Sequence, residues 1–266
     1  MVDFDFKEKY DIDDLVKIVG ILRSPGGCPW DMEQSHKSIR QDFIEEVYEA
    51  VEAIDLDDKE LLREELGDVL LQVVFHCRIE EENKNFVFAE VCDEVCKKLI
   101  VRHPHVFGDT SVSDSGEVLK NWDSIKKDTK GQTTYTETLE SVAKSLPSLM
   151  RAQKLGKRAM RAGMDFDKKE DAFNCIRLET DELEQAMKSG DQAHIEEELG
   201  DLLFSCANTA RHLGVDAELA LTKASEKFIK RFRETERLVD LSGADMAALS
   251  IDELDVYWHQ AKENLK

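Results

Sequence analysis

Two groups of four acidic residues have the spacing that would bring carboxylates together between neighbouring helices. Each group is a Glu-x-x-Glu followed by a Glu-x-x-Asp. The groups are Glu46, Glu49, Glu65 and Asp68, and then Glu179, Glu182, Glu198 and Asp201. Residues three apart lie on one face of a helix, and an antiparallel helical hairpin would set the two faces opposite each other. Four converging carboxylates repel one another unless a cation lies between them.

The chemistry of such a site follows from its ligands. Carboxylate oxygens alone favour a hard ion, Mg²⁺ with Mn²⁺ as a substitute, over zinc. Di-iron bundles add a His three residues after a Glu, and neither acidic group has one. Mg²⁺ usually takes its remaining ligands from water and substrate phosphates, so the pattern predicts hydrolysis of a phosphate ester or anhydride by metal-activated water. The sequence has no P-loop, nucleophile triad or zinc spacing.

A second interpretation of the acids is surface charge. On the helix predicted to carry Glu46 and Glu49, both acids lie opposite an apolar stripe, which taken alone predicts a solvated acidic face. The stripe comprises Ile44, Val47, Val51 and Ile54. The next helix is apolar around most of its circumference, which predicts that it is buried and that its carboxylates need compensation. The repetition of both patterns favours the metal site and leaves a purely structural helical bundle as the alternative.

The acids belong to an internal repeat. Corresponding acids are 133 positions apart in all four pairs. A Lys-x-x-x-Arg and then a Trp-x-x-x-Lys follow in each half. These residues are Lys98, Arg102, Trp122 and Lys126 in the first half, and Lys227, Arg231, Trp258 and Lys262 in the second. One such basic pair is normally a solvated face, but its recurrence after the acids favours phosphate contacts. The order predicts a duplicated domain.

Helices are predicted to position all of these side chains. Apolar residues recur at spacings of three and four, strand alternation is almost absent, and acceptor-x-x-Glu capping signals begin at Asp57, Asp114 and Ser250. The predicted helices span 11–23, 36–54, 58–83, 88–102, 115–128, 140–161, 169–188, 192–213, 217–240 and 250–264. The fold class is therefore all-α. A polar segment predicts a linker at 129–138 between helical domains at 1–128 and 139–266.

Composition excludes several classes of function. Lys and Arg number 36 against 57 Asp and Glu, a net charge of −21, which disfavours direct binding to nucleic acid or an anionic membrane. No apolar run reaches the roughly 20 residues of a membrane span, and the start shows no targeting segment. The six cysteines lack the spacing of a zinc or disulfide framework. We expect a cytoplasmic protein with reduced thiols.

Three further motifs point to a known family. They are Gly27-Cys28-Pro29-Trp30-Asp31, Arg102-His103-Pro104-His105-Val106-Phe107 and Ala210-Arg211-His212-Leu213-Gly214. Together with the duplicated acids, and over nearly the whole chain, they resemble the two-domain bacterial MazG family of all-α nucleoside triphosphate pyrophosphohydrolases. The resemblance implies cleavage of nucleoside triphosphates between the α and β phosphates, with Mg²⁺ and a water nucleophile. It also implies tandem domains whose four-helix bundle cores are completed by formation of a homodimer.

The resemblance assigns a role to each matching position. In the second half, Glu179, Glu182, Glu198 and Asp201 would bind the metal, Lys227, Arg231 and Lys262 would contact phosphates, and Trp258 would lie beside the nucleoside. The matching residues of the first half are Glu46, Glu49, Glu65 and Asp68, then Lys98, Arg102, Trp122 and Lys126. The C-terminal half is expected to carry most activity. One departure is Leu178, where the first half keeps an acid, Glu45. This departure keeps a non-catalytic nucleotide-binding or regulatory module as the alternative function.

Overall fold

The computed structural model describes residues 4–114, 116–118, 121–122, 125 and 131–266. The chain divides into two compact units, 1–126 and 127–266. The described residues form α-helices and one short 3₁₀ helix, with no strand among them. The prediction of an all-α fold is confirmed.

The first unit contains six described helices. They are α1 (Ile12–Leu22), α2 (Pro29–Glu33), α3 (Arg40–Asp55), α4 (Lys59–Glu82), α5 (Phe88–Arg102) and α6 (Pro104–Phe107). α3 and α4 form an antiparallel hairpin across a three-residue turn, and α1 packs on α4. The buried cluster of Val19, Ile39, Val74, Phe75 and Ile79 holds α1 and the residue before α3 against the second half of α4. The helix predicted over 115–128 lies partly outside the described residues.

The second unit is built in the same order around its own hairpin. Its helices are α7 (Tyr135–Glu140), α8 (Ser148–Arg161), α9 (Lys169–Ser189), α10 (Gln192–His212), α11 (Ala217–Ser242) and α12 (Ile251–Asn264), with a 3₁₀ turn at Met246–Ala248. α9 and α10 form the hairpin, and α8 packs on α10. Small buried residues, Ala152, Ala207 and Ala217, let these helices approach closely.

Two sequence predictions about helix bounds are wrong. One helix was expected over 140–161, but α7 ends at Glu140 and α8 begins at Ser148, after Pro147. Because the residue before a proline is pushed away from helical dihedrals, the chain breaks there. The expected cap at Asp57 is instead Asp58, whose side chain accepts hydrogen bonds from the backbone N–H groups of Glu60 and Leu61.

The capping box at Ser250 is confirmed. Its hydroxyl and the Glu253 carboxylate each accept a hydrogen bond from the other residue's backbone N–H. In the described part of the chain, no helix combines the length and the apolar character that a membrane crossing requires.

Candidate active site

The hairpin of the first unit brings three of its acids together. Carboxylate oxygens of Glu46 and Glu49 on α3 and of Glu65 on α4 all lie within 4.8 Å of one another. Glu65 is buried, Glu46 is half-buried and Glu49 is exposed. Asp68 lies one turn beyond Glu65, close enough for its charge to raise the pKa of Glu46. The predicted convergence of α3 with α4 is therefore present within a single chain.

The second unit repeats this arrangement at the positions that the repeat predicts. Oxygens of Glu179 and Glu182 on α9 and of Glu198 on α10 lie within 4.8 Å of one another. Glu179 and Glu198 are half-buried, and Glu182 and Asp201 are exposed. Asp201 is outside the group of three but raises the pKa of Glu179 through its charge. In both units, the Asp is outside the group of three, yet its charge acts on the first Glu more strongly than those of the other acids do.

Burial and mutual repulsion raise pKa values in both clusters. The pKa of Glu46 and that of Glu65 are raised, first by burial and then by the neighbouring carboxylates. The pKa of Glu179 is raised in the same way, by burial and then by Asp201 and Glu182. Each shift means that the ionised form lacks compensation inside the chain itself. A divalent cation would supply that compensation and reverse the direction of these shifts.

Glu198 provides a direct test of whether a metal fits. Its Oε1 lies 3.1 Å from Nε2 of His194, one turn earlier on α10. Its Oε2 is buried, and no hydrogen-bond partner for it lies among the described residues. A buried carboxylate oxygen without a partner is costly, and Glu198 belongs to a cluster made entirely of carboxylates. The residues present therefore fit a hard divalent cation.

The apolar stripe of α3 does not lie where its helical wheel suggested. Its residues are 36–59% exposed, while the acids on the opposite face turn toward α4. α4 is also not buried all round, because Leu66 is 53% exposed. The expectation of a fully solvated acidic face is wrong for Glu46. The physical reason is that the hairpin packs its acidic faces inward, so that the described residues leave its apolar faces partly exposed.

The cations of the first unit lie near Trp122. The Arg102 guanidinium carbon is 5.4 Å from the Trp122 ring centroid, and the His103 ring contacts the same indole at 4.8 Å between centroids. Arg102 Nε is buried and finds no hydrogen-bond partner among the described residues, whereas Lys98 is exposed. Lys126 lies outside the described residues. The structure thus joins Arg102 with Trp122, as one stacked pair.

The cations of the second unit lie on α11 and α12, which pack against each other. Trp258 contacts Phe228 at 5.2 Å between ring centroids. Arg231, Trp258 and Lys262 are half-buried, and Lys227 is exposed. The ion pairs among the described residues include none between these cations and the acids of either cluster. Among the described residues, the acids and the cations of this unit are therefore not joined by ion pairs.

Sequence reasoning assigned no role to two features near the second cluster, although Ser205 and Gln72 lie on the same helical stripes as the acids. Ser205, one turn beyond Asp201, directs its hydroxyl at Glu179 Oε1 across 3.4 Å and opposes the rise in the pKa of that carboxyl. Gln72 stands at the same position of the first unit, and its Oε1 is buried without a partner. The shared register after the acids was the signal that could have identified both.

The second missed feature is a clamp on the loop that leads into α9. Arg211 donates through both terminal nitrogens to Asp165, and His212 Nε2 lies 2.9 Å from the same carboxylate. The Arg211 guanidinium holds the pKa of Asp165 below its usual range. These residues belong to a motif that resembles the family's, and here they fix the start of the hairpin rather than contact the acids.

The departure at Leu178 lies outside the cluster. Leu178 is 60% exposed, and its counterpart Glu45 is exposed as well, accepting a hydrogen bond from Gln41. Neither side chain is among the close-packed carboxylates. Within one chain, the loss of this acid therefore leaves the second cluster intact.

Comparison with known proteins places this geometry in a family. The model of the MazG nucleotide pyrophosphohydrolase domain matches residues 34–107 and 168–235. The nucleoside triphosphate pyrophosphohydrolase of Escherichia coli K12 is 43% identical over 94% of this chain and 97% of its own length. The nucleoside triphosphate pyrophosphohydrolase/pyrophosphatase MazG of Thermotoga maritima is 42% identical over 94% and 95%. The protein YabN of Bacillus subtilis is 40% identical over 92% of this chain and 50% of its own length.

The two matched segments include both acid quartets and both Lys-x-x-x-Arg pairs. The resemblance inferred from sequence is confirmed over nearly the full length of the chain. The chain belongs to the MazG nucleotide pyrophosphohydrolase family of enzymes.

Proposed function

We propose that this enzyme hydrolyses nucleoside and deoxynucleoside triphosphates to the monophosphate and pyrophosphate, and that the reaction depends on Mg²⁺. The observation that carries the proposal is the pair of three-carboxylate clusters, each within 4.8 Å and repeated in register in the two units. The names of the full-length relatives in Escherichia coli and Thermotoga maritima support the reaction class. In this hydrolysis one water breaks the P–O–P bridge between the α and β phosphates. Its hydroxyl joins one phosphorus, and its proton goes to the oxygen that leaves with the other.

Acidic residues would hold the ion in each unit. In the second unit they are Glu179, Glu182, Glu198 and Asp201, and in the first they are Glu46, Glu49, Glu65 and Asp68. Bound Mg²⁺, or Mn²⁺ in its place, would neutralise phosphate charge and activate a water. The mutual proximity of the carboxylates and the buried, unpartnered Oε2 of Glu198 support this assignment.

Cations outside the clusters would bind the phosphates. Arg231 has the planar fork suited to bidentate contact with phosphate, and Lys227 and Lys262 act as point charges. Trp258 lies on the helix that carries Lys262 and would contact the nucleoside. In the first unit, the guanidinium of Arg102, which lies against the Trp122 ring, would donate to a phosphate oxygen. Lys98 and Lys126, which match Lys227 and Lys262 in the repeat, would be the other phosphate contacts of the first unit.

We also propose that the working assembly is a homodimer. The outward face of α3 presents Val47, Val51 and Ile54 to solvent, and Leu199 and Leu203 on α10 are 46% and 51% exposed. Apolar faces of this kind on helical hairpins are normally covered when bundles form. Sedimentation should give twice the chain mass of 30.4 kDa. Val51→Asp should shift the protein toward monomer, and Glu52→Gln on the adjacent surface should not.

Product analysis tests the reaction. With Mg²⁺, each triphosphate consumed should yield one monophosphate and one pyrophosphate, resolved by phosphorus NMR, and a chelator should stop the reaction. We expect the second unit to perform most of this turnover, as the family resemblance implies. Formation of diphosphate and orthophosphate would contradict the proposed bond cleavage. Binding of triphosphates without turnover under any divalent ion would instead identify a non-catalytic nucleotide-binding module.

A further inference from the structure

A cavity of about 410 Å³ lies in the first unit between α3, α4 and the start of α5. Apolar walls come from Phe43, Val73, Cys77, Phe86 and Val91, and the rings of His36 and His76 and the side chain of Arg40 complete the lining. A volume of this size falls in the range of pockets that bind small molecules. The wall composition favours a flat, largely apolar ring.

The two histidines contribute ring surface more than free polar atoms. Their rings are nearly parallel, 11° apart, with centroids separated by 5.0 Å. Nδ1 of His36 lies 2.7 Å from Nδ1 of His76, and Nε2 of His36 pairs with Glu80. Three of the four ring nitrogens are therefore already in contact with other groups of the protein. The pair forms a rigid aromatic wall next to Phe43, whose ring lies 5.4 Å from that of His76.

The cavity lies along the same two helices as the first acid cluster. Phe43 precedes Glu46 by three residues on α3, a rise of about 4.5 Å, and Val73 follows Asp68 by five residues on α4, about 7.5 Å. A ligand with phosphates at the carboxylates and a ring a few ångströms away would span both places. Nucleotides have this separation of charge and ring.

The matching positions of the second unit carry different side chains. In its register, Thr209 replaces His76 and Cys206 replaces Val73. Thr209 is only 4% exposed, and its hydroxyl donates to the carbonyl of Ala172 on the facing helix across 3.0 Å. The hairpin α9–α10 is thus tied together at the point where α3 and α4 line a cavity. The duplicated acids have different neighbours in the two halves.

We propose that this cavity is a nucleobase pocket of the first unit, in which a heteroaromatic ring stacks against the aromatic wall that contains the paired histidine rings. The inference rests on the proposed function, because the phosphates of the same ligand would lie at Glu46, Glu49 and Glu65. It deepens that function by making the first unit selective for the base, by stacking and shape, where the second unit has Thr209 and Cys206 at the matching positions.

The test is calorimetric binding to the full chain carrying Glu198→Gln, which weakens the second cluster. The probes are α,β-methylene triphosphates of the four common nucleosides and inorganic tripolyphosphate, each with Mg²⁺. Val73→Phe fills the cavity and should weaken nucleotide binding about tenfold, the size expected from losing one stacked base. Tripolyphosphate, which has no ring, should bind unchanged. Cys206→Phe, the matched change in the second unit, should alter neither affinity.

Unchanged nucleotide affinity in Val73→Phe would overturn the pocket, and so would equal weakening of nucleotide and tripolyphosphate. If Val73→Phe lowers the melting temperature, His76→Thr, which installs the residue of the second unit, replaces it and should weaken nucleotide binding selectively. Turnover by the chain with Glu198 intact is measured in parallel. Normal production of pyrophosphate together with no ring-dependent binding would reject the pocket and retain the proposed function.

Discussion

Replacing Glu179 with Gln should make the metal-free protein more stable and the Mg²⁺-bound protein less stable than wild type. The substitution keeps the shape of the side chain and removes one negative charge from a cluster whose oxygens lie within 4.8 Å. In the absence of metal, the loss of repulsion is favourable. With metal, the loss of a charged ligand lowers affinity, and with it the stabilisation that binding provides.

The magnitude follows from Coulomb's law. Two unit charges 4.8 Å apart repel by about 0.9 kcal/mol at the dielectric of water and by about 3.5 kcal/mol at an effective dielectric of about 20. Glu182 is exposed and Glu198 is half-buried. The repulsion energy at the dielectric of water therefore applies better to Glu182 than to Glu198. Charge screening by salt and relaxation reduce both terms. We therefore expect a net gain of about 1 kcal/mol, or about 2 to 4 °C in melting temperature.

Scanning calorimetry in chelator and in saturating Mg²⁺ measures both effects. Asp181→Asn is the matched control, because it removes the same charge from an exposed position on α9 outside the cluster. The control should change the free energy of unfolding by no more than a few tenths of a kcal/mol, both in chelator and in Mg²⁺. A Glu179→Gln protein that is less stable in chelator, or that keeps the full wild-type response to Mg²⁺, would refute the reasoning about clustered charge.

Three further predictions concern turnover, pH and the loop clamp. Glu198→Ala should abolish roughly 90% or more of pyrophosphate release, whereas Glu65→Ala should retain most of it; the reverse result would place the working site in the first unit. The metal-free stability advantage of Glu179→Gln should shrink as pH falls from neutral toward 4.5, because a raised pKa lets the folded wild type bind its proton before the unfolded chain does; chemical denaturation at several pH values measures this, and an advantage that grows on acidification would contradict it. Arg211→Met should cost about 1 kcal/mol at neutral pH, since Asp165 is an exposed residue that keeps His212 when it loses its guanidinium partner. An unchanged denaturation midpoint would show that the clamp is not structural.

The hairpins and their acids were predictable from sequence because the signal is local and repeated. On a helix, Glu-x-x-Glu and Glu-x-x-Asp place both carboxylates on one face. Because the offset between the halves is constant, the pattern in one half supports the same interpretation of the other. Sequence also identified the cap at Ser250 from its partner Glu253, since that contact spans a single turn. The break before Ser148 depended on one proline within an otherwise helical pattern, which the apolar spacing on either side concealed.

Burial was harder to predict because it depends on the partner of each face. The wheel of α3 shows an apolar stripe, and such a stripe normally faces the core of its own chain. Here Val51 is 45% exposed and Glu46 is the half-buried residue. No local pattern distinguishes an apolar face that packs within the chain from one that packs outside it. The carboxylates gave the correct orientation only through their pairing with those of α4.

The differences between the two units arise from residues that surround the acids that both units share. Ser205 contacts Glu179, while Gln72 in the same register leaves its carbonyl oxygen buried without a partner. Thr209 ties its hairpin together, while His76 lines a cavity. Because both clusters keep the same three glutamates within the same distance, duplication preserved the groups that would bind a metal and changed those that would contact the rest of a ligand. Substitution of these neighbours, with the acids untouched, is therefore the route by which the two halves can differ in selectivity while retaining one chemistry.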